Sequence, residues 1–195
     1  MTKSEIEEFK RQFLEYLEIE KGSALRTIEN YNHYLTKIFA QMKAERVSDV
    51  SDDSVRDFRL WLNRQPTRSK ETVSKKTQNY YLIALRAFLK YLTKRNITAL
   101  PADRIELAKV SPRHLELITM TELSRLLDAP KTDTLKGLRD KAILELLFST
   151  GLRVSELCSL PRDVNIDSDE LSIRGKGGRV RVVFISAEAR TAVKQ

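Results

Sequence analysis

Between Ile6 and Leu92 the apolar residues of this chain recur at intervals of three and four, in four separate runs. That period puts each run on one face of an α-helix and is incompatible with the two-residue alternation of a half-buried strand. The first run is Ile6, Phe9, Phe13, Leu14 and Leu17, with Ser4 and Glu7 at capping-box spacing ahead of it and Gly22 as its stop. A second, from about Thr27, comprises Ile28, Tyr31, Leu35, Ile38, Phe39 and Met42. Ser51 is placed to cap a third helix whose inward residues are Val55, Phe58, Trp61 and Leu62. The fourth, from about Ser74 to Arg95, turns Tyr81, Leu85, Phe88 and Leu92 inward. Four amphipathic helices with short connections predict a compact helical domain over residues 1–98.

The pattern then breaks. Residues 99–118, with Pro101 and Pro112, have weak periodicity and read as an interdomain linker. Thr119 and Glu122 form a capping box ahead of Leu123, Leu126 and Leu127, which opens a second unit over residues 119–195. Leu138, Ala142, Ile143, Leu146 and Leu147 mark a helix ending at Gly151, and a shorter helix runs from Val154 to about Leu160. Past Pro161 the period changes to alternation. Leu171 and Ile173, then Val180, Val182 and Phe184, flank Gly175-Lys176-Gly177-Gly178, which predicts a hairpin with a glycine-rich turn. Ser186 is placed to cap a last helix. The predicted fold class is therefore mainly α with a small β part.

Composition limits what such a chain can do. No apolar run reaches the ~18 residues of a membrane span, and half of the first ten residues are charged where a signal peptide is apolar. No membrane partner is expected, and the predicted location is cytoplasmic. Cys158 is the one cysteine, so no intramolecular disulfide is expected, and with only His33 and His114 beside it no metal site is expected either. The net charge of +8 is local: residues 62–96 hold nine bases and the single acid Glu71, whereas residues 1–20 are net acidic. A basic window of this kind suggests a binding face for a polyanion such as nucleic acid.

Two segments can carry chemistry. In Gly151-Leu152-Arg153-Val154-Ser155-Glu156-Leu157 an arginine sits between two helices, where its guanidinium fork suits a phosphate; spacing alone favours the plainer reading, an i, i+3 partner of Glu156. In Arg174-Gly175-Lys176-Gly177-Gly178-Arg179-Val180-Arg181, four cations surround a turn whose glycines permit close approach to a polyanion, or the tip is simply solvated. It is no P-loop, because no Ser or Thr follows the lysine and the glycines join two strands.

Together, GLRVSEL and GKGGRVR at this spacing resemble the opening of the catalytic domain of the tyrosine recombinase, or phage-integrase, family in its Xer-like branch. LRDKAILELLFST extends the resemblance upstream, and ENYNHYLTKIF with SKKTQNYYLIALRAFLKYL resembles the second and fourth helices of that family's core-binding domain. The resemblance implies an N-terminal four-helix, SAM-like core-binding domain and the first part of an α+β catalytic domain. It implies that Arg153 clamps the scissile phosphate, that Lys176 protonates the leaving 5′ oxygen, and that Glu156 supports Arg153. It implies double-stranded DNA as partner, other recombinase protomers in a tetrameric synapse, and no cofactor.

The family completes its site with a His/Lys-x-x-Arg motif, a further His or Trp, and a tyrosine that forms a 3′-phosphotyrosyl bond. All six tyrosines here (Tyr16, Tyr31, Tyr34, Tyr80, Tyr81 and Tyr91) precede the linker, and no histidine follows His114. The expectation is a site-specific recombinase sequence that binds DNA without cleaving it, its catalytic domain incomplete; the rivals are a non-enzymatic regulator or decoy of recombination sites and a poorly stable decaying gene product. For DNA contact the candidates are Lys75, Lys76, Gln78, Asn79 and Arg86 on the fourth helix, Thr27 on the second, and Arg179 and Arg181 at the hairpin. Tyr31, Cys158 and Trp61 read as core residues, and His33 as a surface residue.

Overall fold

The structure is a computed structural model that describes residues 4–66, 72–111 and 115–195, without the side chain of Lys176. Arg68, Lys70 and Glu71 of the basic window, and Pro112 and His114, lie outside the described residues. The chain divides into two units, residues 1–113 and 114–195.

The first unit holds α1 (Glu5–Ile19), α2 (Leu25–Met42), α3 (Asp52–Asn63) and α4 (Lys75–Lys94), with 3-10 turns at Val47–Asp49 and Ala102–Arg104. Helix α4 is the axis of its core. Tyr81, Leu82, Ala84, Leu85, Phe88, Leu89, Tyr91 and Leu92 are all buried, a wider set than one stripe, because α1, α2 and α3 each pack on α4. Phe88 lies edge-on to Phe13 of α1 at 5.7 Å and to Phe39 of α2 at 5.3 Å between ring centroids. Serines start two of these helices as the sequence predicts: Ser51 accepts from the Ser54 N-H, and Ser74 from the Thr77 N-H. At α1 the predicted capping box does not form. Ser4 makes no side-chain cap, and Glu7 pairs instead with Lys10, at 2.6 Å.

The segment 99–118, expected as a linker, is partly structural. Ala102 and Ile105 are buried in the first core, and Leu100 packs against it. Asn79 of α4 secures this strap, its Nδ2 donating to the Ala108 carbonyl at 2.8 Å and its Oδ1 accepting from the Ala108 N-H at 2.9 Å. Two apolar side chains and a side-chain amide that imitates a strand partner suffice to draw the chain back onto α4, and weak periodicity conceals both.

The second unit runs α5 (Met120–Asp128), α6 (Leu135–Thr150), the single turn α7 (Val154–Leu157), β1 (Glu170–Arg174), β2 (Val180–Phe184) and α8 (Ala187–Lys194). Thr119 and Glu122 form the predicted capping box at α5, and Gly151 ends α6 in the left-handed region at φ 62°. Lys141 of α6 donates to the Leu127 carbonyl at 2.9 Å and pairs with Glu145 at 3.0 Å, which ties α5 down. The strands are antiparallel, with Leu171 opposite Val183 and Ile173 opposite Arg181.

The parity of β2 corrects the expected one. Val183 and Ile185 are buried, whereas Val180, Val182 and Phe184 are exposed. Both parities of this strand contain apolar residues, so alternation alone does not choose between them; the choice is made by Arg181, which shares the inner face and has a partner there. Cys158, expected in the core, is exposed at the end of α7. Among the described residues, no helix is long and apolar enough to cross a membrane.

Asn79→Ala is expected to destabilise the first unit by about 1 to 2 kcal/mol and to abolish hydrogen-exchange protection of the Ala108 amide. Unchanged protection would show that the strap does not depend on this amide.

Candidate nucleic-acid interface

Aromatic pairs join the two expected DNA-binding helices: Tyr34 meets Tyr81 at 4.7 Å, and Phe39 meets Phe88 at 5.3 Å, so α2 and α4 pack together across these rings. Thr27, Lys75 and Lys76 are exposed, each within the first turn of its helix. Unpaired backbone N-H groups and the helix dipole add to the lysine charge at the start of α4. Lys75 and Lys76 have no ion partner among the described residues.

Other candidates on α4 fare differently. Arg86 is half-buried on the side of the helix where Ile83, Ala87 and Lys90 line a shallow depression. The Nε2 of Gln78 donates to Asn63 Oδ1 at 3.0 Å and to the Val73 carbonyl at 2.7 Å, so its donor side serves the connection between α3 and α4. Asn79 engages both amide atoms with Ala108, so in this structure its amide serves the fold. Tyr31 packs edge-on to Phe13 at 5.8 Å, and His33 is exposed, both as expected. Trp61 is half-buried against Phe58, with the Lys37 ammonium 5.6 Å from its ring centre.

In the second unit the two motifs meet at one carboxylate. Arg153 is the N-cap of α7, and Glu156 occupies the third position of that turn, where its side chain returns to the backbone that begins it. Glu156 is only 7% exposed and accepts four hydrogen bonds. Its Oε2 accepts from the Arg153 N-H at 2.8 Å and from Arg181 Nη2 at 2.7 Å; its Oε1 accepts from Arg153 Nη1 at 2.8 Å and from Arg181 Nη1 at 3.0 Å. Every lone-pair direction of the carboxylate is used. Hydrogen bonds from Arg181 first, and from the Arg153 backbone next, hold the Glu156 carboxyl well below the usual carboxylate range, and the pair raises Arg181 in turn.

The hairpin turn is shaped for this contact. Gly175 donates to the Arg179 carbonyl at 2.7 Å, and Gly177 and Gly178 both have φ near +75°. A Cβ on Gly175 would lie 3.0 Å from Arg181 Nη1 and 3.3 Å from Glu156 Oε1, so a side chain there crowds the ion pair. Lys176 begins the turn at the tip and Arg179 ends it exposed. The side chain of Arg153 is 64% exposed, against 36% for Arg181. Arg181, expected to meet DNA, is thus committed to Glu156. Nothing local to Arg181 announces this tie; its one signal in the sequence is that Arg181 shares parity with Val183 and Ile185. Among the described residues no three His, Cys, Asp or Glu side chains converge as metal ligands do.

Comparison with known proteins covers both units. Residues 116–195 match the phage integrase family, and residues 11–96 match the phage integrase N-terminal SAM-like domain. The tyrosine recombinase XerC of Bacillus subtilis (strain 168) is 32% identical over 193 residues, which cover 97% of this chain and 62% of that protein. The chain thus spans less than two thirds of the length of this curated relative. Among solved structures, the XerH site-specific recombinase bound to difH substrate in a pre-cleavage complex aligns with a TM-score of 0.61 at 20% identity, over 94% of this chain and 54% of that one. The Tn1549 transposon integrase in complex with transposon right end DNA aligns at 0.65 and 16% identity, over 94% and 62%. At these identities the two structures establish a shared fold.

The acid response of the Glu156 site has a definite sign. A carboxylate whose pKa is depressed by folding adds stability above its ordinary value of 4.5, and that stability is lost as the pH falls toward its folded value. The difference in unfolding midpoint between the chain and its Glu156→Gln variant is expected to be constant above pH 4.5 and to shrink in acid. A difference that widens on acidification would contradict the assigned hydrogen bonds.

Proposed function

The chain belongs to the phage-integrase, or tyrosine recombinase, family, and from that premise we propose that its 195 residues bind duplex DNA through both units. In this reading, Lys75 and Lys76 at the start of α4, and Thr27 near the start of α2, hold the phosphate backbone. Gln78 has its carbonyl oxygen left for a base edge, and Arg86 adds charge further along α4. In the second unit Arg153 receives the scissile phosphate, Lys176 at the hairpin tip stands beside the leaving 5′ oxygen, and Arg179 meets the flanking backbone.

The single observation that supports this most is the convergence of the GLR turn and the glycine hairpin on Glu156. It fixes an exposed guanidinium and a lysine-bearing turn to the same buried point. A guanidinium fork is the group best matched to the two phosphate oxygens that gain charge in a pentavalent transition state. Fixing it in advance avoids the cost of ordering it during the reaction.

Phosphodiester transfer to protein needs a nucleophile in line with the leaving oxygen. The family uses a tyrosine, and every tyrosine among these 195 residues lies at or before Tyr91. The polypeptide of these residues therefore holds DNA without forming a phosphotyrosyl bond, in the cytoplasm and alongside other recombinase protomers. A covalent protein–DNA adduct on a nicked duplex, resolved on a denaturing gel, would overturn that part of the reading.

The binding part is tested by salt dependence. With a random-sequence duplex, the slope of log K against log salt is expected to fall by about two units in Lys75→Ala/Lys76→Ala, about one for each phosphate that a lysine no longer neutralises. An unchanged slope would reject the α4 end as the interface.

A further inference from the structure

Two arginines compete for one buried carboxylate, and they do so unequally. Arg181 engages both oxygens of Glu156 with both terminal nitrogens, at 3.0 and 2.7 Å. Arg153 gives its side chain to one oxygen only, through Nη1 at 2.8 Å, and its Nε and Nη2 have no partner among the described residues. The Arg153 backbone N-H bonds the same carboxylate independently of where its side chain lies. The trio carries two positive charges and one negative, so a single phosphodiester charge neutralises it.

We propose that Arg181 is the resident counterion of Glu156, a positioning residue that frees the Arg153 guanidinium to grip a phosphate. This rests on the reading that Arg153 meets DNA phosphate. An unpaired carboxylate at 7% exposure is costly. Without Arg181, the cation left on Glu156 among the described residues is Arg153, which is drawn into a bidentate pair and must be pulled from a desolvated partner before it can bind DNA. With Arg181 in place, Arg153 leaves behind a carboxylate that still has a bidentate cation and a backbone N-H. The covalent frame serves the same end: β2 register sets Arg181 opposite Ile173 on the inner face, and Gly175 lacks the Cβ that would press on Arg181 Nη1.

The test measures affinity of the full chain for a fluorescein-labelled random-sequence duplex by anisotropy at low salt, with circular dichroism as the check of folding. Arg153→Ala is expected to weaken binding about tenfold, and Arg181→Met to weaken it by a similar factor although Arg153 is intact. The decisive protein is Arg181→Met/Glu156→Gln. Removing the carboxylate charge leaves nothing to capture Arg153, so affinity is expected to return most of the way to that of the unaltered chain. A merely structural role predicts the opposite, because the double variant has lost still more hydrogen bonds, and a direct Arg181–DNA contact predicts no recovery.

Gly175→Ala, which crowds the same guanidinium, is expected to weaken binding and to be rescued by Glu156→Gln, so the idea stays testable if Met at 181 disturbs folding. Weaker binding in Arg153→Ala with none in Arg181→Met would overturn the counterion role and leave the phosphate reading standing. No change in Arg153→Ala would overturn both.

Discussion

The carboxylate of Glu156 is the joint on which the second unit's chemistry depends. It is buried, and a buried carboxylate persists only when its lone pairs are satisfied. The four donors that satisfy it come from two places far apart in sequence, the start of α7 and the inner face of β2. Requiring those donors fixes the parity of the hairpin, which turns Arg181, Val183 and Ile185 inward and sends Val180, Val182 and Phe184 outward. It also explains a glycine at 175, where a side chain would meet the pair. One electrostatic requirement thereby sets the register of a sheet, the composition of a turn and the exposure of Arg153.

The first unit is organised by packing. Helix α4 is surrounded by α1, α2 and α3 and closed by the strap through Ile105, so its apolar surface is wide and its polar surface narrow. Its charges are Lys75, Lys76, Arg86, Lys90 and Lys94, set at both ends and along that narrow outer side. At the C-terminal end Arg95 pairs with Glu20 at 2.7 Å, and Lys94 lies over the Tyr16 ring. At the N-terminal end Lys75 and Lys76 remain exposed.

Most of the helical fold was legible in the sequence because the information is local. Apolar spacing, Ser51, Ser74 and Thr119 as caps, and Gly151 as a stop each act within a turn or two of the chain. Two residues read as DNA contacts have partners distant in sequence that no local pattern announces, and one predicted cap is lost to a near neighbour. Asn79 looked like a base reader because nothing near it announces that Ala108 returns to meet it, 29 residues on. Arg181 looked like a phosphate ligand for the same reason, its carboxylate lying 25 residues earlier. Ser4 and Glu7 had the spacing of a capping box, yet Lys10 offered Glu7 a stronger, charged partner. Arg153 and Glu156 were recognised together, but their third member decides what the pair can do.

The proposed exchange moves Arg153 to phosphate while Arg181 stays on Glu156. It is tested most directly by nitrogen NMR of the arginine side chains during titration of the chain with duplex DNA. The Arg153 guanidinium resonances are expected to shift and broaden on DNA addition, while those of Arg181 retain their position and their slow exchange with solvent. Loss of the protected Arg181 signals with Arg153 unchanged would contradict the account, since it would make Arg181 the phosphate ligand and Arg153 the counterion.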